Sequence, residues 1–201
     1  MVWQLAEKET GLAGAVLGRA FERDPMFLAA LPDPGQRAEM CRALFTANVR
    51  HALRYGEVLA TGPSPDDIRG VAYWVARPEP EISAAESAEL GYPPIEERWG
   101  EALAMLGAME AAAVEPLISL AEPWRYLAGI GVDPAHQGQG YGTSLVGRIV
   151  ADARRAGMRC GLATDTPANV RLYERCGFQI VHHIPDFGNG LPGWTMLTGP
   201  N

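Results

Sequence analysis

The chain has 201 residues, 47% of them hydrophobic, and a formal net charge of −7, which suits one domain, or one elaborated domain, with a buried core. The acidic balance (pI near 5.1) speaks against a nucleic-acid partner, because phosphate contacts need a surplus of Lys and Arg. Three cysteines (Cys41, Cys160, Cys176) lack CxxC spacing and four histidines lack ligand spacing, so reduced thiols in a cytoplasmic protein without a metal are expected.

The N-terminus carries Glu7, Lys8 and Glu9 where a signal peptide needs an apolar stretch. No apolar run approaches the roughly 18 residues of a membrane span. Val2–Leu5 reads as a short edge strand, and 11–21 as a helix on Leu12, Val16, Leu17 and Phe21. Asp24-Pro25 and the Leu31–Pro34 cluster punctuate the chain as turns. A second helix over 36–54 carries Met40, Leu44, Ala47 and His51 on one stripe, and Gly56 ends it. Strands follow at 57–61 and 69–76.

Residues 81–121 are Ala- and Glu-rich, with helical periodicity broken by Pro93-Pro94 and again by Pro116. They read as a helical insertion of the kind that shapes a substrate pocket. Then come a strand (124–132), a glycine loop, a helix (141–156), a strand (158–163), a short helix (168–175) and strands at 178–183 and 194–197. The pattern predicts one α/β domain spanning 1–201.

The chemistry-bearing stretch is Gly129-Ile130-Gly131-Val132-Asp133-Pro134-Ala135-His136-Gln137-Gly138-Gln139-Gly140-Tyr141-Gly142. An apolar strand enters a loop poor in side chains, which opens directly into an amphipathic helix with Leu145, Val146, Ile149, Val150 and Ala153 on its core face. Such a loop lets backbone N–H groups approach an anion, and the helix start adds free donors and partial positive charge. A phosphate-bearing ligand is the natural occupant. A Walker loop is excluded, since the only lysine of the chain is Lys8. A dinucleotide GxGxxG fails as well, because from Gly138 its last position is Thr143.

These residues resemble the GNAT superfamily of N-acetyltransferases. Its acetyl-CoA loop, Q/R-x-x-G-x-G/A, is matched by Gln137, Gly140 and Gly142, after a V-x-P matched by Val132-Asp133-Pro134. A second signature, N-x-x-x-Y-E-x-x-G-F, is matched by Asn169, Tyr173, Glu174, Gly177 and Phe178. A looser likeness to the puromycin N-acetyltransferase-like branch rests on Asp24-Pro25, Leu31-Pro32-Asp33-Pro34, Tyr55-Gly56-Glu57-Val58 and Leu191-Pro192-Gly193-Trp194-Thr195-Met196. There are two departures. Thr166 stands seven residues before the tyrosine, where many members carry Asn, and Trp124 stands where relatives often carry His.

The resemblance implies an α/β (α+β) GNAT fold: a mixed, mostly antiparallel sheet of six to seven strands, splayed at an acetyl-CoA cleft and flanked by helices. It implies Ile130, Gly131 and Val132 as backbone partners of pantetheine, and Gln137, Gly138, Gln139, Gly140, Tyr141, Gly142 and Thr143 around the pyrophosphate. Asn169 would reach the CoA arm. Tyr173, one turn later on the same helix face, would supply a proton to the departing sulfur. Gly129 and Gly131 fit either a bulge with close ligand approach or tight packing under a helix. Glu122 is the first candidate for the base, with Tyr126 as another polar group able to line the cleft.

The activity implied is transfer of acetyl from acetyl-CoA to the primary amine of a small, antibiotic-like or aromatic molecule, without a metal. A non-catalytic acyl-CoA-binding module and a protein or peptide acetyltransferase are the alternatives. Trp74, Trp99 and Trp124 fit either an aromatic wall of the acceptor pocket or burial in the core. No membrane partner is expected, and the oligomeric state stays open between monomer and homodimer.

Overall fold

A computed structural model describes residues 1–76, 81–93, 99–118, 120, 124–186 and 190–199. Seven strands form one sheet in the order β1-β2-β3-β4-β5-β7-β6. In chain order these are β1 (Val2–Gln4), β2 (Gly56–Thr61), β3 (Gly70–Ala76), β4 (Trp124–Val132), β5 (Arg159–Thr164), β6 (Phe178–Ile184) and β7 (Gly193–Thr198). Every neighbouring pair is antiparallel except β4 and β5, which run parallel. This is the splayed mixed sheet that the motifs imply.

The helices are α1 (Thr10–Phe21), α2 (Pro25–Ala30), α3 (Pro34–Tyr55), α4 (Ala84–Leu90), α5 (Gly100–Ile118), α6 (Tyr141–Arg155) and α7 (Pro167–Arg175). On one face α1, α3 and α5 bury Leu17, Met40, Phe45 and Leu117 against Val58, Val71, Tyr73 and Trp124 of the sheet. The other face carries α6 and α7, whose Leu145, Val146, Ile149 and Tyr173 cover Leu59, Ala72, Leu127 and Leu162. Burying apolar area on both faces, at roughly 25 cal/mol per Å², supplies the main favourable free energy of the fold. Helix α1 lies close on α3, since a Cβ on Gly14 would stand 2.2 Å from Thr46 Oγ1.

The structure departs from the sequence reading in two places and decides a third. Asp24-Pro25 opens helix α2 instead of a turn: the Asp24 carboxylate caps the Met26 N–H, and Pro25 occupies the first helical position. Pro116 does not break the second insertion helix; α5 runs through it to Ile118. The third place is the tryptophans, which fall on the side of the core and not of the pocket wall. Trp124 is buried in the core edge-on to Tyr126, and Trp74 lies under the Arg125 guanidinium at 3.9 Å while donating to Glu57. Neither walls a pocket, and among the described residues no Trp lines the cavity described below.

Candidate active site

Strands β4 and β5 pair only through Trp124, Arg125 and Tyr126 against Arg159, Cys160 and Gly161. Beyond Tyr126 they diverge, leaving backbone groups on both facing edges without a strand partner. Part of the divergence is built into β4, because Ala128 is an extra residue between the Tyr73–Gly129 and Trp74–Leu127 registers, and a bulge bends the strand that carries it. The opening lies at the carboxyl ends of two parallel strands, where α/β sheets hold ligands.

A cavity of about 1180 Å³ passes through this gap. One end is the glycine loop. Gly138 and Gly140 adopt φ of +76° and +84°, a left-handed backbone that favours glycine. Gly140 caps α6 without a side chain, so the N–H groups of the first helical turn, Tyr141 to Thr143, have no acceptor within the helix. Gln137 donates from Nε2 to the Val132 carbonyl at 3.2 Å and braces the loop against β4. Asp133 fixes the entry to the loop by capping Ala135 and pairing with Arg19 at 2.6 Å.

Of the residues predicted to hold the cofactor, Ile130, Gly131, Val132, Gln137, Gly138, Gly140, Tyr141, Gly142, Thr143, Asn169 and Tyr173 all line this one cavity. Gln139 is exposed and not among the lining residues. Glu122 lies outside the described residues, whereas Tyr126 is buried and lines the cavity. The glycines of β4 are explained by packing. A Cβ on Gly129 would stand 2.4 Å from the Tyr73 ring, and one on Gly131 would stand 2.7 Å from Ala20 Cβ. His182 and His183 are exposed, with His183 stacked on Trp194.

Tyr173 stands at the middle of the cavity. Its ring packs on Phe178 at 5.8 Å, and burial pushes its phenol well above the ordinary value. A phenol in that state is a proton donor at neutral pH and not a base. Asn169 sits one turn earlier on the same helix face. The far end is apolar and built on Phe21, Phe27 and Phe45, whose ring centroids lie 4.4–5.5 Å apart.

Three carboxylates also line the cavity, and none was read as a site residue from the sequence: Asp24, Glu110 and Asp165. Burial first, then the charge of Asp165, raise Asp24 to about 7. Burial raises Asp165 too. The available signal for Asp24 was the Asp-Pro pair, read as a cap followed by a first helical residue instead of as a turn. For Asp165 the sequence offers nothing beyond its place at the end of a strand. Among the described residues no group of three His, Cys, Asp or Glu is placed to hold a metal ion, and no helix is long and apolar enough to cross a membrane.

Residues 66–178, more than half of the chain, match the model of the acetyltransferase (GNAT) family. The chain belongs to that family. Among curated GNAT relatives, a Salmonella typhimurium L-methionine sulfoximine/L-methionine sulfone acetyltransferase is 37% identical over 70 residues. An Escherichia coli L-amino acid N-acyltransferase is 33% identical over a stretch of the same length. Each match spans 33% of this chain and 41% of the relative, so less than half of either relative is represented. The fold is that of a Corynebacterium glutamicum structure described as a histone acetyltransferase and related acetyltransferase. It superposes with a TM-score of 0.70 at 23% identity, covering 100% of this chain and 96% of the other.

Proposed function

We propose that this GNAT-family chain transfers an acetyl group from acetyl-CoA to the primary amine of a small molecule. The observation that carries the reading is the single cavity that joins the glycine loop to an aromatic chamber through the gap between β4 and β5, with Tyr173 between them. The residues fit the donor. The free N–H groups of the α6 start suit a pyrophosphate, and the unpaired edges of β4 and β5 suit the amide groups of a pantetheine arm lying as an added strand. The donor brings an acetyl group already activated as a thioester.

The protein's own residues do the rest. Ile130 and Val132 orient the arm through their backbone, the glycine loop anchors its far end, and Tyr173 donates a proton where a thiolate departs. A free alkyl amine with a pKa of about 10 is mostly protonated at neutral pH, so the acceptor must also lose a proton inside the site. The two curated relatives are named for acting on amino acids and amino-acid analogues, which favours a small acceptor over a protein. Four short stretches shared with the puromycin N-acetyltransferase-like branch favour a bulky amine.

Calorimetric titration with acetyl-CoA, CoA and ATP tests the donor site, and thiol release across a panel of amines tests the reaction. Micromolar acetyl-CoA binding without ATP binding supports the reading. A well-folded protein that ignores acetyl-CoA refutes it, and binding with no thiol release from any amine would leave an acyl-CoA-binding module.

A further inference from the structure

Asp24 and Asp165 reach the same part of the cavity from different elements. Asp24 stands between α1 and α2, where Oδ1 accepts the Met26 N–H at 3.0 Å. Asp165 follows β5 and is only 5% exposed. The Thr166 hydroxyl donates to its Oδ1 at 3.0 Å, whereas its Oδ2 is buried with no hydrogen-bond partner. A buried carboxylate oxygen without a partner costs free energy, so its retention at a cavity wall calls for a ligand donor.

The Met26 amide lies near both carboxylates and favours their charged forms, but no ion pair does so: among the described residues no Arg or Lys forms an ion pair with either carboxylate. The nearby cation of α3, Arg37, is committed to the carbonyls of Glu22, Leu31 and Pro32. The other titratable groups facing this region include Glu22 after α1, Cys41 of α3, Glu110 of α5, and Tyr173 and Arg175 of α7. Two carboxylates sharing such a pocket do not both ionise readily. Phe27 of α2, edge-on to Phe21 and tilted to Phe45, follows Asp24 by three residues and lines the same cavity, so an ammonium at the pair would meet aromatic rings with its substituent.

We propose that Asp24 and Asp165 hold one proton between them and together form the acceptor-ammonium subsite. Asp24 takes the ammonium proton, and Asp165 is the positioning residue that adds to the proton affinity burial already gives Asp24. This rests on the acetyltransferase reading above. In the step, one N–H bond of the ammonium breaks, its electron pair stays on nitrogen, and the proton passes to the Asp24 carboxylate. When the C–N bond forms and the C–S bond breaks, Tyr173 gives its hydroxyl proton to sulfur, and nitrogen's second proton replaces it on the Tyr173 oxygen. Asp24 then releases its proton to water, so one proton leaves for each cationic amine acylated.

The test uses the full chain, with 2-phenylethylamine as the probe amine. Carbon-13 carboxyl NMR of the wild type should show Asp24 titrating near neutrality. Its proton affinity should fall about tenfold or more in Asp165→Asn, and again when the probe is added to the wild type. An Asp24 that titrates as an ordinary carboxylate, or does not respond to Asp165→Asn, overturns the proposal. In thiol-release assays Asp24→Asn should lower kcat by roughly 100-fold or more with acetyl-CoA affinity kept, Asp24→Glu should recover part, and wild-type kcat/KM should rise with pH through the Asp24 titration. Wild-type turnover by Asp24→Asn overturns the proposal. Failure of the wild type to bind acetyl-CoA strikes the acetyltransferase reading instead, and the carboxyl titration separates the two failures.

Discussion

Gly129 lies directly against the Tyr73 ring: a Cβ placed on it would sit 2.4 Å from Cε1 and 2.7 Å from the hydroxyl oxygen. That hydroxyl is held in turn by Asn48 of α3 at 3.1 Å, so the ring has little freedom to retreat. Gly129→Ala should therefore overpack the core, at a cost of about 1–3 kcal/mol. For a chain of this length that corresponds to a loss of roughly 2–4 °C in Tm per kcal/mol. An unchanged denaturation midpoint would show that the ring can move aside.

Gly140 presents the opposite case, with open space around its would-be Cβ but a φ of +84°. Gly140→Val should cost about 1–2 kcal/mol in backbone strain, leave the protein folded, and lower acetyl-CoA affinity by well over tenfold. The exposed Gly147 in the middle of α6 is the control. Gly147→Ala should stabilise by roughly 0.5–1 kcal/mol and leave binding alone. Calorimetry with both variants decides whether the loop's glycines serve a ligand or only the turn; normal binding by Gly140→Val would rule out the ligand.

Tyr173→Phe keeps the packing on Phe178 and removes only the hydroxyl. Turnover should drop on the order of 100-fold, with acetyl-CoA affinity within a few-fold of the wild type. Full turnover would remove Tyr173 as the donor to sulfur.

The raised Asp24 also has a stability signature. An unfolded chain loses the Asp24 proton near 3.8, while the folded protein keeps it to about 7. Between those values the unfolded state has shed a proton that the folded state still holds, so the folded state loses stability as pH rises and levels off above 7. Asn caps a helix as well as Asp does and carries no charge. The stability difference between Asp24→Asn and wild type should thus grow in favour of the variant from about pH 4 to pH 7, measured by denaturation at a series of pH values. Parallel curves would mean that Asp24 is a cap and nothing more.

The thiols should sort by burial. Cys41 and Cys160 are fully buried, and burial pushes both up to about 12, which leaves almost no thiolate at neutral pH. Cys176 is half-buried. Iodoacetamide should label Cys176 first, followed by mass spectrometry, with the other two reacting only after denaturation. Early labelling of Cys41 would contradict its place beneath α1 and α2.

Of the site proposed above, the donor half could be read from the sequence because its demands fall on the backbone. Glycines at Gly138 and Gly140, an amphipathic run from Leu145 to Ala153, and Asn169 one turn before Tyr173 leave local spacing that reads without a structure. The acceptor half was not legible. Asp24 looks like turn punctuation, Asp165 like the end of a strand, and only the approach of the α2 start, at Met26, to Asp165 brings them to one cavity. The tryptophans stayed undecided for a related reason: strand alternation gives Trp74 and Trp124 a face of the sheet, but not whether that face is core or chamber. Phe21, Phe27 and Phe45 took the aromatic role from helices whose mutual packing no local pattern records.

The three-residue pairing between β4 and β5 makes the sheet two plates joined along a short weld. Past Tyr126 the plates are tied by neighbouring helices instead of strand-to-strand bonds, so the middle of the protein is its weakest transverse section. A molecule seated there would complete a missing row of the ladder and fasten β1 to β4 onto β5 to β7. Occupancy of the cleft and mechanical unity of the fold are then the same event, and slowed amide exchange along Leu127–Val132 on cofactor binding would be its signature.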